Sequence, residues 1–268
     1  MPNATDSKYG SAWTREELVL ALYLYCQIPF AKTKANNPEI VQLAQMLGRT
    51  PGSVARKLGN FGVFDPLLAQ KGISGLVHHS KADQEIWNEF YQHWDFLVEA
   101  SQAIMAAGNF TVIPVPAAED EPQPASPVLS FPTGPTAQPK VVMIRVYQSF
   151  FRRAVLSSYG SACCMCGINF PEMLIASHIK PWGSHEETRL DPENGLCLCA
   201  LHDKAYDRGL MTVGSDYKVS VSRLITSSKV VFVGTALAAF DKQKIKMPSR
   251  FAPKSEYLDW HKNNVFKA

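Results

Sequence analysis

The sequence predicts an α+β protein: a helical N-terminal domain with a helix-turn-helix pattern, then a smaller domain in which a β-hairpin packs on a helix. Three observations carry this. Eight of the 18 prolines fall within residues 112–140, among Ala, Ser, Thr and Glu, the composition of a semi-extended linker. This divides the 268-residue chain into two lengths that can each bury a core. Residues 1–111 show apolar side chains at helical spacing behind capping residues. Beyond residue 140, short apolar runs bounded by turn signals precede a segment of helical composition.

In chain order, Thr14 with Glu17 three residues on is a capping-box pattern, and Leu18, Leu20, Leu22, Leu24 and Tyr25 follow as a wide apolar face. Pro38 opens a second helix over Ile40, Val41, Leu43, Ala44 and Leu47, which stops at Gly48. Arg49-Thr50-Pro51 caps a third, from Gly52 to about Asn60, with Val54 and Leu58 inward and Ser53, Arg56 and Lys57 outward. Two short helices around a tight turn, the second carrying cations, form a helix-turn-helix pattern. DNA docking through Arg49, Arg56 and Lys57 is one reading of it, an ordinary small helical domain the other. Residues 84–107 read as one long helix whose aromatic stripe (Trp87, Phe90, Tyr91, Trp94, Phe96) is core or an interface, and a homodimer would use it.

In the second half, 140–146 reads as a strand or approach segment, and Gln148–Tyr159 as an amphipathic helix with Phe150, Phe151, Ala154 and Val155 on one face. Leu174–Ile179 is a short apolar strand that delivers His178 to its end, before Pro181. Asn194-Gly195 is a turn signal, Leu196–Cys199 a returning strand, and Ala200–Asp207 a helix ended by Gly209. Strands over 210–213 and 218–221 and a closing helix over 255–267 complete the chain.

Charge sharpens the division. Residues 1–111 carry nine cations and ten anions, 112–140 one and three, and 141–268 seventeen and eleven. The net of +6 in the last part suits an anionic partner, nucleic acid being the commonest. No run of about 18 apolar residues exists, and the polar start Met1-Pro2-Asn3 lacks a signal-peptide core, so no membrane partner and a cytoplasmic location are expected. Five of six cysteines lie between Cys163 and Cys199, and without an export signal metal binding or plain thiols are expected rather than disulfides.

The order SHIKPW (177–182), NGL (194–196) and LHD (201–203), followed by Tyr206-Asp207, resembles the HNH endonuclease family with its ββα-metal fold, nearest a bacterial restriction-type subgroup. The resemblance implies a metal-dependent DNA endonuclease over 141–268. His178 would be the general base, Asn194 would fix the loop that orients it, and His202 would ligate one divalent cation such as Mg²⁺ or Mn²⁺. Many relatives place Asp or His before the base as a further ligand. Here Ser177 stands there, which leaves Asp203 and Asp207 as candidates to complete the shell. Lys180, Arg189, Lys204 and Arg208 flank these positions as candidate phosphate contacts.

The cysteines allow a second metal. Cys163 and Cys166 have zinc-knuckle spacing, and Cys197 and Cys199 share a strand face, so these four thiolates are the candidate ligands of a structural zinc. Two further readings stay open: a zinc-stabilised DNA-binding protein without catalysis, and a nuclease for RNA or structured DNA. By analogy of domain arrangement, the biological setting expected is restriction or phage defence.

Overall fold

The computed structural model describes residues 10–73, 79–108 and 137–268, with 137–142 described in backbone only. Residues 112–136 of the expected linker lie outside the described residues.

The first helix, α1 (Arg15–Gln27), starts on the expected capping box: Thr14 Oγ1 accepts from Glu17 N–H, and the Glu17 carboxylate accepts from Thr14 N–H. It is apolar nearly all round, and the fold explains why. Helices α3 (Pro51–Phe61), α5 (Lys81–Phe90), α6 (Trp94–Ala107) and α7 (Ala137–Ser158) all pack against it, so α1 is the axis of the helical half. Between α1 and α3, helix α2 (Pro38–Leu47) is capped by Asn37 and ends on Gly48 at φ +65°, the left-handed conformation that glycine adopts without strain. Thr50 caps α3, and Asp65 caps the short α4 (Pro66–Gln70).

Two elements differ from expectation. The single helix over 84–107 is two, α5 and α6, broken at Tyr91-Gln92-His93 with Gln92 at φ +68°. The break turns Trp87, Phe90 and Trp94 all inward, at most 5% exposed, so the aromatic stripe is core and only Phe96 stays largely outside. The segment 140–146 is helix, within the 22 residues of α7. Pro139 sits in its first turn, where the missing N–H costs nothing.

Helix α7 joins the halves. Phe150 and Phe151 are buried; Phe150 stacks on Tyr23 of α1 at 5.5 Å, and Arg153 pairs with Glu39. Its other face carries the antiparallel hairpin β1 (Leu174–His178) and β2 (Gly195–Cys199), in register from Leu174 opposite Cys199 to His178 opposite Gly195. The approach is close enough to require glycine: a Cβ on Gly195 would lie 2.3 Å from Val155 Cγ2. Helix α8 (Ala200–Asp207) follows β2 directly and packs back on the hairpin, completing a ββα unit. A second hairpin, β3 (Met211–Val213) and β4 (Val219–Val221), is extended by residues 242–246, which bond along β4. Two short helices, α9 (Arg223–Thr226) and α10 (Val231–Ala236), lie between, and α11 (Ser255–Asn264) closes the fold three residues short of expectation.

The halves are further bolted by Arg250. It is fully buried, and its guanidinium donates to the carbonyls of Tyr25 and Ile28 at the end of α1, both at 2.6 Å, while lying over the Tyr25 ring. These carbonyls are the unpaired acceptors at a helix C-terminus, and a cation there also meets the negative end of the helix dipole.

Candidate active site and zinc centre

His178 ends β1. Its ring stacks on Phe151 at 3.7 Å between centroids, with planes 10° apart, and meets the edge of Trp182. Nε2 lies 3.0 Å from the Arg189 carbonyl. A carbonyl only accepts, so Nε2 carries the proton and Nδ1 keeps its lone pair. Burial lowers the imidazole pKa to about 4, so it is neutral at physiological pH. Arg189, expected to face phosphate, instead fixes that carbonyl: its Nε donates to Trp182 O, its guanidinium pairs with Glu186 at 2.5 Å, and it lies over Trp182.

Asn194 is fully buried and ties the loop shut. Its Nδ2 donates to the carbonyls of Lys180 and Thr188, and its Oδ1 accepts from Lys180 N–H at 2.8 Å. The residues just before it are equally held. Asp191 pairs with Lys254 at 2.8 Å and accepts from Tyr257 Oη at 3.1 Å. Burial, then the nearby Asp191 carboxylate, pushes Glu193 up to about 7. Ser177 points to the opposite face of β1 from His178, with its buried Oγ unpaired among the described residues.

The thiol cluster differs from expectation in one ligand, and the difference changes His202. Cys163, Cys166, Cys199 and His202 bring their ligating atoms within 4.8 Å of one another; Cys197 is not in the group. Cys166 Sγ and Cys199 Sγ are 3.8 Å apart, and His202 Nδ1 is 3.5 Å from Cys163 Sγ and 3.2 Å from Cys199 Sγ. A tetrahedral zinc with bonds of about 2.3 Å to sulfur and about 2.0 Å to nitrogen spaces its ligands by about 3.5–3.8 Å, so these residues fit it. Three thiols and an imidazole are soft donors, suited to zinc and not to Mg²⁺. The pairs are Cys-x₂-Cys on a knuckle, with Gly167 at φ +80°, and Cys-x₂-His where β2 enters α8. The second pair has the same two-residue spacing as the first and was open to reading from the sequence. The strand alternation that favoured Cys197 fails because the chain turns helical at Ala200 and swings His202 back over Cys199.

His202 therefore has both ring nitrogens engaged: Nδ1 faces the sulfurs, and Nε2 is 3.0 Å from the Ala236 carbonyl, which fixes the tautomer as outer-shell carbonyls do for metal-bound histidines. The expected pairing of His178 and His202 about one cation is not what the structure brings together. Cys199 pairs with Leu174 and His178 with Gly195, opposite ends of the hairpin, four residues or about 13 Å apart. Among the described residues no other group of three ligating side chains occurs. A hard cation needs only one or two protein carboxylates beside water and phosphate oxygens. Asp203 and Asp207 stay as such candidates on α8, which packs on β1.

The candidate phosphate contacts divide. Lys204 on α8 and Arg208 just past its end are exposed, and Lys180 is half-buried with Nζ 5.0 Å from the Tyr257 ring. In the helical half, two of three cations are internal. Arg49 pairs with Glu17 at 2.6 Å and is 3% exposed, and Lys57 pairs with Asp83 at 2.7 Å. The partners come from α1 and α5, which local periodicity does not reveal. Arg56 alone projects from α3.

The ββα unit thus carries a histidine at the hairpin end, an asparagine locking the loop and a thiol-rich cluster whose geometry fits a metal. Residues 163–214 match the HNH endonuclease family, which supports nuclease activity and implies a DNA substrate for this segment. No curated protein matches the chain. Among the described residues no helix is long and apolar enough to cross a membrane.

Proposed function

We propose that the chain is a metal-dependent DNA endonuclease acting in restriction or phage defence, with the helical half positioning the target. The observation that carries the catalytic part is His178. It is neutral, and its Nε2–H is committed to a fixed carbonyl, so Nδ1 is left as the only basic atom. In this reading Nδ1 accepts a proton from water as the water oxygen attacks phosphorus, and the bond to the 3′ oxygen breaks. Asn194 holds the loop that positions this ring. A hydrolytic Mg²⁺ or Mn²⁺, for which Asp203 and Asp207 are the candidate ligands, would supply charge relief at the phosphate and the departing oxygen. In this reading His202 would join Cys163, Cys166 and Cys199 around a zinc, and four protein ligands would make that site structural.

Plasmid nicking with Mg²⁺ or Mn²⁺, with and without chelator, tests this. His178→Ala should lower the single-turnover rate by about 10²–10⁴ while leaving the zinc in place. Equal loss of supercoiled plasmid with wild type and His178→Ala, on modified DNA as well, would sink the proposal. The closed cluster favours one rival, a zinc-stabilised DNA-binding protein without catalysis, which predicts DNA binding and no nicking with any metal. RNA and structured DNA as competitors in the same assay define the substrate.

A further inference from the structure

The second hairpin carries an arrangement that stability alone does not favour. Lys218 sits directly opposite Lys244 in an antiparallel bridge between β4's leading edge and the 242–246 segment. Residues paired in this way point to the same face, and like charges so placed repel. By two-residue alternation Lys246 faces the same way as Lys244, while Ile245 between them is turned inward and buried. All three lysines are exposed. Lys218 has only an exposed carboxylate, Asp216, at 3.6 Å, and Lys244 and Lys246 have no ion pair among the described residues. Asp241, the nearest other acid in the chain, spends Oδ1 on Val221 N–H.

The surroundings are predominantly cationic. Residues 215–250 hold seven cations (Lys218, Arg223, Lys229, Lys242, Lys244, Lys246 and Arg250) and two acids, Asp216 and Asp241. Only Arg250 is buried. The stripe is also fixed in place relative to the hairpin of the nuclease unit. Lys246 N–H donates to Cys164 O, and Cys164 N–H donates to Cys197 O of β2, both at 2.8 Å. Two such steps at strand spacing put the stripe about 10 Å from β2, within the width of one duplex.

We infer that Lys218, Lys244 and Lys246 form a phosphate-backbone contact of double-stranded DNA outside the catalytic site, one that holds the flank of the duplex while His178 faces the scissile bond. Row-like cations on a rigid edge, without acids between them, match a row of phosphates and carry no base information. The inference rests on the nuclease reading only in naming DNA as the polyanion.

The test is fluorescence anisotropy of a labelled 30-base-pair duplex, without divalent metal, from 50 to 300 mM salt. The proteins are the full chain, the Lys218→Gln/Lys244→Gln/Lys246→Gln variant, and Lys81→Gln as an exposed-charge control. Zinc content and circular dichroism confirm that each is folded. Each lost phosphate contact lowers the slope of log K against log salt by about 0.9, so the triple variant should lose about 2–3 in slope and roughly tenfold or more in affinity at 0.1 M salt. The control should match wild type. An unchanged slope in the triple variant, with wild type binding and nicking DNA, overturns this inference and leaves the nuclease reading intact. A wild type that binds no duplex overturns both. Unchanged DNA binding with loss of binding to phosphatidylserine vesicles would reassign the stripe to a membrane surface and overturn it as well.

Discussion

Replacing one zinc ligand at a time separates the cluster seen here from the four-cysteine alternative. Zinc bound to such sites in small peptides contributes about 10–16 kcal/mol of apparent binding free energy at neutral pH. In this protein the four ligating atoms already lie within 4.8 Å and sit among a formed core, so binding adds to an existing fold. With a dissociation constant near 1 nM and about 1 μM free zinc, linkage gives about 4 kcal/mol of added stability. At about 2–4 °C per kcal/mol for a chain of this size, stripping the metal should lower the melting temperature by roughly 10 °C. Differential scanning calorimetry with and without dipicolinate, beside zinc stoichiometry by mass spectrometry, reads both quantities. Wild type and Cys197→Ser should hold one zinc per chain; Cys199→Ser and His202→Ala should hold none and melt near the stripped protein. Zinc retained by His202→Ala but lost from Cys197→Ser would refute the assignment, and an unchanged melting temperature on stripping would refute its structural role.

Three more outcomes follow from packing and charge. Arg250→Met removes two charge-assisted hydrogen bonds at 2.6 Å and should cost about 3–5 kcal/mol in urea unfolding, with the loss spread over both halves. Lys57→Ala, which strands the buried Asp83 carboxylate, should cost about 3–5 kcal/mol, whereas exposed Arg56→Ala should leave unfolding within about 0.5 kcal/mol and weaken duplex binding instead. His178 and His261 are each lowered to about 4 by burial, below the unfolded value of about 6.5, so protonation favours the unfolded chain. Stability is full above about pH 6.5 and should fall by about 2 kcal/mol per histidine at pH 5; a flat urea midpoint from pH 7.5 to 5 would contradict this.

Much of the fold was legible because its boundaries are written in local chemistry. Thr14 with Glu17, Asn37-Pro38 and Thr50-Pro51 each place a helix start where the structure has one. His178 and Asn194 stand out by their motif, and the two short strands around them by composition. What escaped depends on partners distant in the chain. Nothing in Tyr91-Gln92-His93 marks a break, since none is Gly or Pro; the turn forms because it lets Trp87 and Trp94 both reach the core. Arg49 and Lys57 look like surface cations until Glu17 and Asp83 are brought beside them. His202 was legible twice, as the last letter of the motif and as a two-residue partner of Cys199, and only the three-dimensional arrangement decides between the two.

The bolt at Arg250 also sets a timetable. Its partner Tyr25 lies 225 residues earlier in the chain, and Lys71 likewise reaches forward to the carbonyl of Pro248, 177 residues on. At about 5–20 residues per second of synthesis, the end of α1 waits roughly 10–45 s for the guanidinium that satisfies its carbonyls. Contacts of such separation close late in folding as well. The loop around Asn194 is finished by the same stretch of chain, through Lys254 on Asp191. The loop around Asn194 therefore gains its Lys254 contact only after the whole ββα unit has been synthesised.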